Sequence, residues 1–554
     1  MSSKLRILPL GGLGEIGKNM TIFEYEDSIL IVDAGVMFPE NDMLGVDLII
    51  PDYKYLMDKR DKVLAILVTH GHEDHLGALP HLMQDIQAPI YATPLTAGLI
   101  EAKLRRSKLP HDIDLVVFNA GDVLDFGPFT VEPFHVTHSI PDGVGFGITT
   151  PVGLIVHTGD YKFDHTPVDE WPPDFAKLSE FSMRGVLALL ADSTNADRPG
   201  WTPSEKIVGE GLEKVFQEAP GRIIIATFAS LISRIHLVAD AAIKYGRRLA
   251  ITGRSMRDNT KIASKLGYLD IPDDLLIDIS EADNYPANQV VIMATGAQGE
   301  PSAVLGRLAR GRHQRFSIKE GDTVVFSAHT IPGNEEMVHR TINQLFQRGA
   351  NVLYEQVADV HVSGHASQEE MKLLINLVRP QFLIPVHGEL RHLRQHAKLA
   401  KEIGFPENKI AVIENGTPIE LDEISMTVLP RLPGGYVFVD GSGVGDIGWP
   451  VMREREKLAN NGFFMAVAVT NGQGDVLGKP NFVTQGMVDR KEAEELFIGA
   501  EDTIARVVKN SVGAKEKIEN RLEDAVSRYL YAETGKRPFV RVIVNQVIGE
   551  PVAA

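Results

Sequence analysis

The most sharply patterned stretch of the chain is the apolar run Val63 to Val68, followed at once by Thr69-His70-Gly71-His72-Glu73-Asp74-His75. An apolar run of that length reads as a buried strand. Leu76 to Gln87 beyond it reads as a helix. The histidines then lie on the loop at a strand's C-terminal end, where open α/β sheets carry their sites. Upstream, Leu5 to Leu10, Met20 to Tyr25 and Ser28 to Asp33 predict a meander of three strands. The first turn, Gly11-Gly12-Leu13-Gly14-Glu15-Ile16-Gly17, contains G-x-G-x-x-G. That fingerprint has to open a helix, and here it opens the alternating strand from Met20, so a dinucleotide site is excluded.

Downstream come a strand at Pro89 to Ala92, a helix at Pro94 to Ser107, and five strands: Leu115 to Phe118, Val123 to Phe126, Thr130 to Val136, Gly145 to Thr149 and Gly153 to His157. Strand-rich layers separated by helices suggest two sheets packed face to face with helices outside. From about Ser204 the texture changes. Helices at Glu205 to Glu218 and Leu231 to Tyr245 alternate with strands at Arg222 to Thr227, Arg248 to Thr252 and Asn288 to Ala294. This is an insert of domain size, residues 204–349. Asn351 to Tyr354 and Phe382 to Pro385 return as strands, with a helix from Ser367 to Val378 between them. Ser367 and Glu370 form a capping box at its start. The glycine-rich stretch Leu432 to Gly448 marks the exit from a core built by residues 1–203 and 350–449. Residues 450–554 read as a small separate α/β domain, with strands at Phe464 to Thr470 and Phe539 to Val547 and amphipathic helices at Arg490 to Lys509 and Lys515 to Ala532. Apolar residues on the helices (Leu496, Phe497, Ile504, Val507 and Val508) suggest a face for self-association.

Composition narrows the chemistry. The chain has 554 residues and no cysteine, which removes disulfides, thiolate metal sites and cysteine nucleophiles. No apolar stretch reaches the ~18 residues a membrane span needs, and the start lacks a secretory leader, so no membrane and a cytoplasmic location are expected. The formal net charge is -18. This argues against nucleic acid unless basic groups cluster locally. Two runs do so: Arg307, Arg310, Arg312, His313, Arg315, Lys319, and Lys103, Arg105, Arg106, Lys108.

Two imidazoles, a carboxylate and a third imidazole within six residues suit one or two divalent ions of the zinc or manganese kind. Further candidates end or follow other strands, giving the set His70, His72, Asp74, His75, His138, Asp160 and His387. Asp160 can bridge two ions through its two oxygens. Two ions ~3.5–4 Å apart stabilise both the attacking and the leaving oxygen of a phosphoryl displacement.

The segment His70 to His75, together with Asp33, His138 and Asp160, resembles the HxHxDH signature and companion motifs of the metallo-β-lactamase superfamily. The insert, with Asp192, His365 and His387 around it, resembles the β-CASP branch. Gly11 to Asn19, His138 to Asp142, Pro332-Gly333-Asn334, Ser363-Gly364-His365 and Pro385 to Glu389 are together similar to the ribonuclease J family. The resemblance implies an α/β fold: an αββα sandwich with an inserted β-CASP α/β domain and a small C-terminal α/β domain. It implies two zinc ions, with manganese or magnesium as working alternatives. One would be held by His70, His72, His138 and Asp160, the other by Asp74, His75, Asp160 and His387. Asp192 would be a proton donor and His365 a proton acceptor or phosphate partner. His361, Val362, Ser363, Gly364 and His365 would hold the substrate phosphate. A calcium ion is implied near Gly45, Asp47 and Asp440.

The activity implied is RNA hydrolysis in RNA maturation and mRNA decay, 5′-to-3′ from a 5′-monophosphate end or within the chain. It would leave 5′-phosphate and 3′-hydroxyl ends. RNA is favoured over DNA because DNA-acting members of the branch tend to carry an apolar residue where this chain has His387. A homodimer or homotetramer with RNA-degradation partners is implied as well. Ser327-Ala328-His329-Thr330 departs from the serine-rich stretch that relatives often have. Two other classes compete: a different hydrolase of the same sandwich, which needs neither the insert nor Ser363-Gly364-His365, and a non-catalytic scaffold, which does not need the full ligand set.

Overall fold

The computed structural model describes residues 4–107, 109, 111–331, 333–471, 473–511 and 518–547. Lys108, Pro332 and the start of the expected helix at Lys515 lie outside them. The chain divides into two compact units, Met1–Glu40 with Leu48–Val437, and Asn41–Asp47 with Phe438–Ala554.

The larger unit is built on two facing sheets. The eight-stranded one has the order Met426–Val428, Ile419–Leu421, Leu5–Gly11, Met20–Tyr25, Ser28–Val32, Val63–Leu67, Ile90–Ala92, Leu115–Val117. The six-stranded one has the order Phe382–Val386, Val186–Asp192, Gly153–His157, Val144–Thr150, Phe129–His135, Leu124–Phe126. Their facing side chains, among them Phe23, Leu30, Leu67, Phe146, Ile155, Leu190 and Ile384, form one buried core. On the outer face of the second sheet, Leu189 and Leu383 pack with Phe181, Met371, Leu374 and Leu399 from helices. Both faces of the central strands are therefore covered, which is why they read as apolar runs and not as alternating ones.

The insert is a parallel sheet of order Leu276–Ile277, Arg248–Ile251, Val290–Ala294, Ile223–Ala226, Thr323–Phe326, Asn351–Leu353. Its last strand pairs Leu353 with Val325. The insert's sheet thus continues beyond residue 349, where the polarity pattern ended it. A buried ionic network ties it to the sandwich. Arg234 donates to Glu205 Oε2 at 2.8 Å and to the carbonyls of Ser327 and Val360. Lys162 pairs with Asp164 at 3.2 Å.

In the smaller unit, strands Asn481–Gln485, Phe463–Thr470 and Phe539–Gln546 form a sheet under helices Arg490–Lys509 and Ile518–Thr534. Leu496, Ile504 and Val508 are buried against Phe464, Leu522, Val526 and Leu530. The helices' apolar faces make this unit's own core, so they do not form a free interface. The unit takes in Asn41–Asp47 and Phe438 onward besides the residues 450–554 read from sequence.

Candidate active site

Five strand ends deliver the chemistry to one place. The strand Val63–Leu67 leads to His70 and His72, Phe129–His135 to His138, Gly153–His157 to Asp160, Val186–Asp192 to Asp192, and Phe382–Val386 to His387. The last three strands are parallel neighbours, with His157 opposite Leu190 and Asp192 opposite Val386, so their C-terminal residues emerge side by side. The first cluster differs from the sequence reading in one respect. A helical turn already starts at Glu73, so Asp74 and His75 sit on a helix and only His70 and His72 on the loop.

The seven candidate ligands fall into two groups that share Asp160. His70, His72, His138 and Asp160 form one, and Asp74, His75, Asp160 and His387 the other. A third group joins Asp160 and His387 to Asp192 and His365. Asp160 Oδ2 lies 3.6 Å from His70 Nε2, 3.2 Å from His75 Nε2 and 3.7 Å from His138 Nε2. Its Oδ1 lies 2.7 Å from His387 Nδ1. One carboxylate thus faces both groups.

In the first group the protonation pattern fits cation binding, whereas in the second burial opposes the charge on His75 and His387 but Asp160 outweighs it and raises both. His138 Nδ1 lies 2.7 Å from the Gly364 carbonyl, which can only accept, so Nδ1 carries the proton and Nε2 is a bare lone pair. That Nε2 is 3.1 Å from His72 Nδ1, and His70 Nε2 is 3.0 Å from the same atom. Nitrogens bound tetrahedrally at 2.0–2.1 Å stand ~3.3 Å apart, so this convergence is what a zinc-like ion requires. Burial, reinforced by neighbouring imidazoles, holds His70 and His138 well below the ordinary imidazole range, and burial takes His72 down to about 4. Neutral imidazole is the ligating form.

Supporting residues fix these side chains. Asp33 is buried and accepts from Thr69 N at 2.8 Å, from Thr69 Oγ1 and from His75 Nδ1 at 2.8 Å. A carboxylate behind a histidine selects its tautomer and orients it. Asp33 and His387 both have left-handed backbone, φ 64° and 49°, the kind of strain that collects at functional sites. A Cβ at Gly364 would lie 2.6 Å from the His138 ring, so only glycine lets that carbonyl approach. Asn19 Nδ2 lies 3.1 Å from His75 Nε2 and 3.2 Å from His387 Nε2.

Beside these groups, His365 Nδ1 donates to Asp192 Oδ2 at 2.8 Å, while Thr194 N and Oγ1 donate to Oδ1. Burial opposes the charge on His365, but Asp192 and Asp160 outweigh it and raise the imidazole to about 9. Ser363 Oγ accepts from Asn195 Nδ2 at 2.8 Å and from His365 N at 3.2 Å. Its own hydroxyl proton is left to donate. Val362 is buried beside it, and the His361 Nδ1 is buried with no partner. The helix from Gln368 is not an open anion site. Glu370 takes up Ser367 N, Thr202 N and Phe163 N, which brings its own negative charge to that end. Asn19, Asn195, Thr202 and this use of Glu370 were not singled out as site features in the sequence reading. Asn19 and Glu370 stood inside recognised patterns, Asn195 ended the polar cluster Asp192-Ser193-Thr194-Asn195 that follows a strand, and nothing in the spacing pointed to Thr202.

The remaining candidates lie in the smaller unit. Asp47 Oδ2 accepts from Gly441 N, while Asp440 pairs with Arg455, whose Nη1 donates to the Leu44 carbonyl at 2.9 Å. A Cβ at Gly45 would lie 2.8 Å from that guanidinium. The loop's negative charge is therefore met by an arginine of the same unit.

Comparison with known proteins accounts for nearly the whole chain. Residues 13–198 match the metallo-beta-lactamase superfamily, 220–345 the ribonuclease J beta-CASP domain, 350–412 the Zn-dependent metallo-hydrolase RNA specificity domain, and 450–547 the ribonuclease J C-terminal domain. Ribonuclease J of Thermus thermophilus is 43% identical over 98% of this chain and 95% of its own length. Ribonuclease J 1 of Streptococcus pyogenes is 40% identical over 97% of each. A solved structure of a protein of unknown function from Enterococcus faecalis is 17% identical with a TM-score of 0.54, covering 76% of this chain and 100% of that one, and shares the fold. With its sandwich, its β-CASP insert and its clustered histidines and aspartates, the chain belongs to the ribonuclease J family and is a metal-dependent ribonuclease of RNA processing.

Proposed function

We propose that the two four-residue groups each hold a zinc ion, with Asp160 between them. The chain would then degrade RNA 5′-to-3′ from a monophosphorylated end and also cut internally. The observation that carries this reading is the position of Asp160 Oδ2 between the two histidine groups. Bound there, the metals would lower the pKa of water and stabilise charge on phosphorus. The chain's own residues do the rest. Asp192 orients His365 through Nδ1, leaving the second ring nitrogen to meet the scissile phosphate or exchange a proton at the leaving oxygen. Ser363, with both acceptor positions filled, has only a donor to offer, which suits a terminal phosphate oxygen. His361 Nδ1 is a second unpaired group in the same segment. A monophosphate one nucleotide from the scissile bond sets the next phosphodiester over the metal groups. A triphosphate brings extra bulk and charge.

The test has two parts. Metal analysis should find two transition ions per chain, and His75→Ala should lose one of them with most of the activity. Matched RNAs differing only at the 5′ end should be degraded at unequal rates, monophosphate faster, and Ser363→Ala should narrow the difference. Equal rates for both ends reject the end-reading pocket.

The same reading includes a cytoplasmic enzyme that self-associates through its smaller unit. Among the described residues, no helix is long and apolar enough to cross a membrane. One exposed surface of that unit is the sheet face opposite its helices, where Val483 and Ile543 are about half exposed beside Met465, Val467, Asn481 and Arg541. A partly apolar sheet face of this kind fits a second copy of the chain.

A further inference from the structure

The two basic runs singled out in the sequence have different fates. In the first, Lys103 pairs with Glu73, Arg105 with Glu101 and Arg106 with Asp258. The charge of these three described residues is met by the protein's own carboxylates. In the second, Lys319 pairs with Asp283, but Arg310 and Arg312 have no carboxylate within ion-pair distance among the described residues. They line an open cleft of about 620 Å³ together with Ala309, Gln344, Gln347 and Arg348. Among the described residues Arg348 has no acidic partner either, and its Nε donates to the Ala309 carbonyl at 2.6 Å, which fixes the guanidinium at the cleft wall. Next to the cleft in sequence, burial first and then Arg307 and Arg315 hold His313 below the ordinary imidazole range. In a chain of net charge -18, three guanidinium groups with no carboxylate beside them in one cleft make a local positive potential that draws anions.

The cleft lies away from the metal groups. The C-terminal ends of the insert's strands face the catalytic side, where Ser327 donates to the Val360 carbonyl. The helix Glu335–Gln347 starts at that side and runs back along the sheet. Its far end is at the strands' beginnings, where Gly321 N donates to the Gly349 carbonyl. Thirteen helical residues span ~20 Å. The lining contains no aromatic side chain on which a base can stack. Its polar groups are guanidinium and carboxamide, and a guanidinium fork matches a phosphate with two parallel hydrogen bonds.

We infer that this cleft is a distal binding site for the phosphodiester backbone of the RNA substrate, engaged several nucleotides from the cut. The inference rests on the ribonuclease reading and concerns a surface the metal centre does not use. Its signature is electrostatic. Each phosphate neutralised on a single strand adds ~0.7 to the slope of log affinity against log salt.

The test compares the unaltered chain with Arg310→Gln/Arg312→Gln on two unstructured RNAs sharing one 5′ end, of five and thirty nucleotides. Rates are measured as kcat/KM from 50 to 200 mM salt. For the long RNA the double variant's slope should be shallower by about 1.4, so that over this range it loses about sevenfold less than the unaltered chain. The five-nucleotide RNA should show no such difference. Arg310→Lys/Arg312→Lys should keep most of the slope, and both variants should melt with the parent because these side chains hold no internal partner. Equal slopes for the long RNA, with short-RNA cleavage intact, overturn the distal site. That includes the case where the cleft holds an acidic peptide or a free nucleotide instead. Failure of the unaltered chain to cut either RNA would count against the nuclease reading itself.

Discussion

Asp33→Asn isolates the effect of one buried carboxylate that is not itself among the proposed ligands. Asparagine has nearly the same shape and tolerates the left-handed backbone found here, φ 64°. Its carbonyl can still accept from Thr69 N, now 2.8 Å from Oδ1. The amide, however, presents N–H groups where Oδ2 now accepts from His75 Nδ1 at 2.8 Å. Two donors then face each other, and the imidazole relieves the clash by moving its proton to Nε2. That nitrogen lies 3.2 Å from Asp160 and 3.5 Å from Asp74, and once protonated it cannot ligate. Losing such a partner costs 10- to 100-fold in metal affinity, about 1.4–2.7 kcal/mol. Chelator competition on the purified variant should show one ion held as in the parent and the other weakened by that factor. The kcat/KM should fall with it and recover partly in excess metal. An unaltered affinity for both ions, in a protein that melts with the parent, would falsify the tautomer argument.

Three further outcomes are expected. Arg234→Met takes from buried Glu205 its nearer cation and leaves only Lys162 at 3.9 Å, a defect worth at most about 3–5 kcal/mol, which should appear as a lowered melting temperature in differential scanning calorimetry; an unchanged transition refutes it. Burial raises the Asp142 carboxyl to about 6 despite the N–H of Leu95 donating to it. Its contribution to stability is therefore full below the unfolded value near 3.8 and is lost as pH rises through 6, at most about 3 kcal/mol. Asp142→Asn should then melt above the parent at pH 8, with the gap closing toward pH 4. Ile543→Glu should reduce the mass seen by light scattering if the open sheet face joins two copies, and a mass identical to the parent's moves the interface elsewhere.

The sequence reading located strand ends well because these strands are covered on both faces, so each is an apolar run stopped abruptly by histidine or aspartate. Val63 to Val68 before His70 is the plainest case. The contacts behind the ligands were much less legible. Asp33 accepts from a neighbour 36 residues away and from His75 42 residues away, and no periodicity records that. Ser367 and Glu370 read correctly as a helix start, but the pattern could not tell that Glu370 also fastens Phe163 and Thr202. Amphipathic helices near Leu496 and Ile504 announced a buried face without saying against what. It proved to be Phe464 and Leu522 of the same unit. The three-residue strands Ile419–Leu421 and Met426–Val428, each broken by a polar residue at its centre, Glu420 and Thr427, went unread.

The insertion point explains how substrate grip and chemistry are coupled. The chain leaves the sandwich just after Asp192 and comes back at Ser363 to His365. Residues at the departure hold those at the return. Asn195 donates to Ser363 Oγ and to the His365 carbonyl, Thr202 Oγ1 donates to that same carbonyl, and Glu370 accepts from Thr202 N. The insert joins this knot through Arg234, which bonds Glu205 on one side and the Ser327 and Val360 carbonyls on the other. Among the proposed metal ligands, His138 touches this knot directly through the Gly364 carbonyl, whereas Asp74 and His75 follow a strand of the sandwich and His75 is backed by Asp33. A shift of the insert on its substrate is therefore felt at Ser363, His365 and His138 before it reaches Asp74 and His75. Substitutions in the insert that loosen this knot should cost turnover and end discrimination while the ion proposed at Asp74, His75, Asp160 and His387 stays bound.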